Sequence, residues 1–178
     1  RKISYGRLEG AEYRITDYVP RGGDASMDSE LLQYFSVLRK DEMFGRYALR
    51  LAGIHNAENA TAVIALLDFL KQDVAQVGAA LATFPGTERR FEFIGELFGA
   101  LCYDDYAHHP EEIRVTLKAF RELFPEKNMT VVFHPHTFTR TKALLQEFSQ
   151  CFEDADRVYI LDIYGSAREI QGGVASED

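Results

Sequence analysis

Four short stretches carry side chains suited to chemistry. The densest is Tyr103-Asp104-Asp105-Tyr106-Ala107-His108-His109-Pro110-Glu111-Glu112-Ile113, which sets carboxylates and imidazoles between an apolar run and an amphipathic helix. Carboxylate and imidazole suit zinc, iron or manganese. The adjacent histidines point in different directions, however, and no His-x-x-x-His spacing supplies further ligands, so no metal is expected. The plain alternative is capping, since Asp and His satisfy backbone donors ahead of a helix. In His134-Pro135-His136-Thr137-Phe138-Thr139-Arg140-Thr141, Arg140 has the fork that grips a carboxylate or phosphate, or it is a solvated arginine beside capping threonines. In His55-Asn56-Ala57-Glu58-Asn59, amides can pair with the donor and acceptor edge of a purine, or simply start a helix. Arg89-Arg90 could meet phosphate, or lie in water.

These groups need elements to hold them. Tyr13 to Val19 and Arg46 to Leu51 alternate partially and predict antiparallel or edge strands, separated by turn signals such as Arg21-Gly22-Gly23-Asp24. Ala60 to Leu70 reads as a helix with Val63, Leu66, Leu67 and Leu70 inward, which places His55, Asn56 and Asn59 at its start. A second helix is expected over Val74 to Ala82, with Val77 and Leu81 inward, ended by Phe84-Pro85-Gly86-Thr87. Glu88 to Phe91 reads as a hinge. Beyond it the predicted order is a buried strand over Leu101 to Tyr103, a helix from Pro110 to Phe124, a strand from Met129 to Phe133, a loop from His134 to Thr141, a helix from Lys142 to Phe152 and a strand from Val158 to Leu161. This βαβαβ order is the pattern of a parallel sheet with crossover helices. Its three strand-end loops, at Asp104-Asp105, His134 to Thr141 and Asp162 to Arg168, should then converge on one crevice.

The 178 residues suit one ordinary domain or two small ones, and 46% apolar content is ample for a packed core. A net charge of -8 argues against a general nucleic-acid or anionic-membrane surface. Cys102 and Cys151 lie far apart in apolar surroundings and read as small hydrophobes in a reducing compartment. No apolar run has the length of a membrane span, so a cytoplasmic protein is expected. The chain starts without Met in strand-like sequence and closes on no element, which suggests a piece of a longer protein.

Together, Gly53-Ile54-His55-Asn56-Ala57-Glu58-Asn59-Ala60, Phe84-Pro85-Gly86-Thr87-Glu88-Arg89-Arg90-Phe91, Asp104 to Glu112 and His134 to Thr141 resemble the Mur ligases, the ATP-dependent amide-forming enzymes of peptidoglycan synthesis. The four motifs stand in family order over Leu51 to Arg168, and the Asp-His block is that of the alanine-adding branch and its close relative, the murein tripeptide ligase. The resemblance implies an α/β protein in which residues 1–89 end a central ATP-binding domain and residues 90–178 begin a Rossmann-like carboxyl-terminal domain on the amino-acid side. It implies addition of L-alanine to UDP-N-acetylmuramate through an acyl phosphate, with ATP and Mg2+. The phosphate loop and magnesium ligands would lie elsewhere, since no Gly-x-x-x-x-Gly-Lys-[Ser/Thr] occurs in these residues. These residues alone are therefore expected to be inactive.

By motif, the resemblance assigns Asn56 and Asn59 to adenine, Asp105 to ribose and Arg90 to the ATP phosphates. It assigns Tyr106, His108 and Arg140 to the amino-acid site, with His108 and Arg140 as the catalytic pair and Arg140 on the substrate carboxylate. One departure stands out. Many relatives have His-Arg-Tyr where this chain has His136-Thr137-Phe138, so one of two arginines facing the amino acid is missing. The competing reading from the residues themselves is a metal-dependent phosphohydrolase built on Asp104, Asp105, His108 and His109, and a third is a noncatalytic nucleotide-binding module.

Overall fold

A computed structural model describes residues 2–20, 32–167, 169 and 171–178 of this mixed α/β protein. The turn expected at Arg21 to Asp24 and the loop end at Arg168 lie outside the described residues. Two compact units are formed, one from Arg1–Asp104 with Glu122–Phe124, the other from Asp105–Arg121 with Pro125–Asp178.

In the first unit, alternation produces a sheet with one wet face. Strands β1 (Tyr5–Gly6), β2 (Tyr13–Val19), β3 (Gln33–Arg39) and β4 (Glu42–Leu49) lie in that order, β1 parallel to β2 and the rest antiparallel. Tyr13, Ile15, Phe35, Val37, Tyr47 and Leu49 point into one core. Helix α1 (Ile54–Phe69) packs on β1 and β2, and α2 (Val74–Thr83) packs on β4, with Val77 buried and Leu81 against the core as the sequence predicts.

The inward stripe of α1 is a correction. Val63, Leu66 and Leu70 are exposed, and the buried face is Ala57, Ala60, Thr61, Ile64 and Ala65, with Leu67 at its border. Apolar residues surround this helix, so their spacing does not single out a face. The small residues settle the matter, because they let the helix backbone approach the sheet closely.

The carboxyl end of α1 is tied down by charge. The buried Tyr13 hydroxyl donates to the Asp68 carboxylate, and Arg39 Nη1 stands 3.3 Å from the same group. Burial first, then the Asp68 hydrogen bond, pushes the Tyr13 phenol up to about 12.

A hairpin follows, of β5 (Glu92–Leu97) and β6 (Ala100–Asp104). Phe98 and Gly99 turn it with φ of 51° and 82°, the left-handed pair that a tight hairpin needs. Here the expected strand changes character. It is half-buried rather than buried, and it pairs antiparallel with β5.

The second unit begins with the loop 105–109 and α3 (Pro110–Leu123) as far as Arg121, and the first residue of that helix is the predicted Pro110. Strands β7 (Thr130–Phe133) and β8 (Arg157–Ile160) pair in parallel, joined through α4 (Phe138–Ala143) and α5 (Leu145–Phe148). Ile113, Leu117, Phe133, Phe148 and Cys151 form their core. Both cysteines are free, and burial pushes the Cys151 thiol up to about 11, as suits a small hydrophobe. Among the described residues, the parallel pairing of the expected βαβαβ unit is that of β7 with β8.

Asp156 fixes the amino-terminal ends of these two strands. Its Oδ2 accepts from Met129 N at 2.7 Å and Arg121 Nη2 at 2.8 Å, and the same guanidinium donates to the Asp154 carbonyl at 2.8 Å. The Met129 N–H, then Arg121, holds the Asp156 carboxyl below the usual carboxylate range. A depressed folded-state pKa contributes stability above the unfolded value and loses it as pH falls through the folded one. The urea midpoint of the second unit is therefore expected to drop on acidification below about pH 4. Asp156→Asn should flatten that drop, and an unchanged pH profile in the variant would assign the acid sensitivity to other groups.

Candidate functional site

Helix α1 starts at Ile54, six residues before the expected Ala60, so His55, Asn56 and Asn59 occupy its first turns. Gly53 makes the start possible: its φ of 90° with ψ of 143° is a region reserved almost wholly for glycine. Its carbonyl accepts from Gln33 Nε2 at 3.2 Å, which fastens the helix start to β3. Asn56 Nδ2 donates to the Ala52 carbonyl at 2.8 Å and lies 3.0 Å from His55 Nε2. Its amide therefore anchors the turn. Asn59, one turn on, is exposed.

Arg89 and Arg90 sit in the tight segment before β5. Arg89 has φ of 56°, its Nε donates to Asp104 Oδ2 at 3.1 Å, and its N–H donates to Glu92 Oε2 at 2.6 Å. Arg90 is exposed, and its N–H donates to the Thr87 carbonyl.

The Asp-His loop is organised by its own side chains. Asp105 Oδ1 accepts from Ala107 N at 2.8 Å, an Asx turn. Glu112 Oε2 accepts from His108 N at 3.1 Å, His108 Nδ1 is 2.9 Å from the Tyr106 carbonyl, and the rings of Tyr106 and His108 meet edge-on at 5.0 Å. The His109 carbonyl accepts the first α3 bond, from Ile113 N. Ala107 packs on the core that contains Phe133 and Leu144, so this loop and the carboxyl end of β7 rest on one foundation.

Arg140 belongs to a helix rather than to the expected loop, because α4 begins at Phe138, four residues before Lys142. Thr137 caps it with φ of 73°, and its side chain accepts from Arg140 N at 3.4 Å. Such a conformation is costly for a β-branched residue, and it turns the chain sharply out of the 134–137 segment. The guanidinium Nη1 reaches back to the His136 carbonyl at 3.5 Å.

The loops after β7 and β8 do meet. Tyr164 N donates to Pro135 O and Thr137 N to Tyr164 O, each at 2.9 Å, and residues 136 and 164 form a parallel bridge. The His136 and Tyr164 rings stack at 4.9 Å, with His134 edge-on to the same tyrosine at 5.8 Å. Glu169 joins the two loops again, accepting from Phe138 N, Thr139 N, Thr139 Oγ1 and Ser166 N. Tyr164 and Glu169 escape a reading of the sequence, since contacts across two loops leave no periodicity. Among the described residues, no group of three His, Cys, Asp or Glu side chains is placed to hold a metal ion, and no helix is long and apolar enough to cross a membrane.

The pairing of a tight Arg-bearing turn with a returning loop coincides with a sequence match. Residues 89–177 match the family described as Mur ligase, glutamate ligase domain. The chain belongs to the Mur ligase family. It is 48% identical over 134 residues to the UDP-N-acetylmuramate–L-alanine ligase of Desulfitobacterium hafniense (strain Y51), covering 75% of this chain and 30% of that protein. It is 45% identical over 178 residues to the protein of the same name from Lactobacillus acidophilus, covering 99% of this chain and 38% of that one. The crystal structure of the UDP-N-acetylmuramate-alanine ligase of Thermotoga maritima superimposes with a TM-score of 0.74 at 29% identity, over 91% of this chain and 34% of that one. The chain thus spans about a third of the length of the curated relatives it matches.

Proposed function

We propose that this chain is part of an ATP-dependent ligase that joins L-alanine to UDP-N-acetylmuramate in the cytoplasm. Residues 1–89 would end the ATP-binding domain and residues 90–178 would begin the amino-acid-side domain. The observation that carries this reading is the 45% identity, along nearly the whole chain, to a protein named for that reaction. ATP phosphorylates the muramate carboxylate, and the alanine amine displaces phosphate from the acyl phosphate to form the amide. Catalysis of this kind is chiefly positioning and charge stabilisation.

Within the chain, Asn59 faces water where it can receive adenine, and Asn56, bound to the Ala52 carbonyl, holds the turn that presents it. Asp105 takes the ribose and Arg90 the ATP phosphates. Tyr106 and His108 form one wall of the amino-acid site, and Arg140 binds the alanine carboxylate through a charge-assisted fork. Magnesium would be held by residues of the longer protein, where it would neutralise phosphate charge. A metal-dependent hydrolase built on Asp104, Asp105, His108 and His109 gains no support. The Asp105 carboxylate and the His108 ring are bound within their own loop, and no metal-ligating cluster is found among the described residues.

The full-length protein, given ATP, magnesium and UDP-N-acetylmuramate, is expected to form ADP and phosphate in step with UDP-N-acetylmuramoyl-alanine when L-alanine is added. The present 178 residues alone should show no turnover. ATP consumption that ignores the muramyl substrate would defeat the reading, and preference for a tripeptide over L-alanine would move the protein to the murein tripeptide branch.

A further inference from the structure

A six-residue helix such as α4 cannot sustain itself, because nucleation fixes several residues for one hydrogen bond. Its first-turn N–H groups also need partners from outside the helix. Thr137 supplies one weak acceptor, 3.4 Å from Arg140 N. The rest comes from Glu169, about thirty residues further along the chain. Its Oε1 accepts from Phe138 N at 3.2 Å and Ser166 N at 2.7 Å, and its Oε2 accepts from Thr139 N at 3.1 Å and Thr139 Oγ1 at 3.0 Å.

Both oxygens are thus doubly used: Oε1 joins the helix start to Ser166, and Oε2 holds Thr139 twice. The Oε1 bonds bridge α4 to Ser166, two residues after Tyr164, whose backbone is bonded to Pro135 and Thr137. The Oε2 bonds grip Thr139, the residue directly before Arg140. A negative charge at this end also suits the helix dipole. The Ser166 N–H first, with Thr139 and Phe138, holds the Glu169 carboxyl below the usual carboxylate range, so it is ionised at neutral pH. All four donors are neutral groups, and no ion pair joins Glu169 to Arg140 among the described residues. The carboxylate can order the turn without competing for the guanidinium.

We propose that Glu169 is the positioning residue of the amino-acid site: it clamps the first turn of α4 and so fixes the direction from which Arg140 meets the substrate carboxylate. The proposal rests on the assignment of Arg140 made under Proposed function. Displacement of a substrate-binding group by even a fraction of its contact distance is felt in the reaction with that substrate.

The test uses the full-length ligase and steady-state kinetics with each substrate varied in turn. Glu169→Ala should raise the KM for L-alanine by about ten- to a hundredfold, while the KM values for ATP and UDP-N-acetylmuramate stay within about twofold. Glu169→Gln keeps one accepting oxygen and should recover part of the loss. In an Arg140→Ala background, Glu169→Ala should add almost nothing to the L-alanine KM, because the group it positions is gone. If the alanine variant does not fold, Glu169→Gln and Thr139→Val, which lose fewer of the clamp's bonds, carry the same comparison. An equal rise in all three KM values, a lowered melting temperature with an unchanged KM for L-alanine, or full additivity with Arg140→Ala would overturn the proposal. A wild-type protein that does not use L-alanine would instead overturn the function itself, and this inference with it.

Discussion

If the proposed function holds, replacing Arg140 by alanine in the full-length protein is expected to lower kcat/KM for L-alanine by about 10- to 100-fold, with ATP affinity little changed. The size follows from the loss of hydrogen bonds to a charged group, about 1.5–3 kcal/mol, where about 1.4 kcal/mol is a factor of ten. A guanidinium bound to a carboxylate by two parallel N–H groups contributes orientation as well as attraction. Arg140→Lys keeps the charge and loses the fork, so it should recover only part of the loss. The single-arginine loop sharpens this expectation. Thr137 is occupied as a helix cap and carries no guanidinium, so under the proposed assignment the carboxylate would depend on Arg140 alone in this turn. Equal effects of the alanine and lysine variants would mean that geometry is irrelevant here. An unchanged KM for L-alanine would place the carboxylate elsewhere.

Where local chemistry decides, the structure agrees with the sequence. Pro110 starts α3 because it lacks the N–H that the first turn cannot use, and Tyr13 to Val19 is a strand because alternation matches a sheet with one buried face. Backbone conformations that glycine does not announce are harder to see. Thr137 and Phe98 both adopt positive φ, and each moves a boundary: α4 starts early, and the run before Asp104 becomes a hairpin. The strand β3 hides for a different reason. Its run Tyr34, Phe35, Ser36, Val37, Leu38 is apolar at positions of both faces, with the apolar Tyr34 exposed and the polar Ser36 buried, so the sequence marks no inward face. The motif residues of the candidate site were visible as letters in family order, with Asp105 also doing the capping work that the plain reading assigns to it. Glu169 was not visible, since its partners are backbone groups of another loop.

Helix α1 offers the sharpest contrast between spacing and packing, and it should be measurable in the present chain. Ile64→Ala is expected to cost about 2–5 kcal/mol of stability, whereas Leu66→Ala should stay within about 0.5 kcal/mol. The two residues are neighbours on a helix with similar side-chain volumes, yet Ile64 is 0% exposed in the core with Ala57, Ala60 and Ala65, and Leu66 is 54% exposed. Removing Ile64 loses transfer free energy and leaves a cavity in the close-packed core that it shares with Tyr13 and Ile15, which relaxation fills only in part. Removing Leu66 uncovers nothing. Chemical denaturation of the two variants separates the readings directly, since an inward stripe of Val63, Leu66 and Leu70 demands the reverse order. The consequence reaches the nucleotide side of the proposed enzyme. The face that seats α1 on the sheet begins at Ala57, between Asn56 and Asn59, so loosening it at Ile64 should also weaken ATP binding in the full-length protein, while Leu66→Ala leaves that affinity intact.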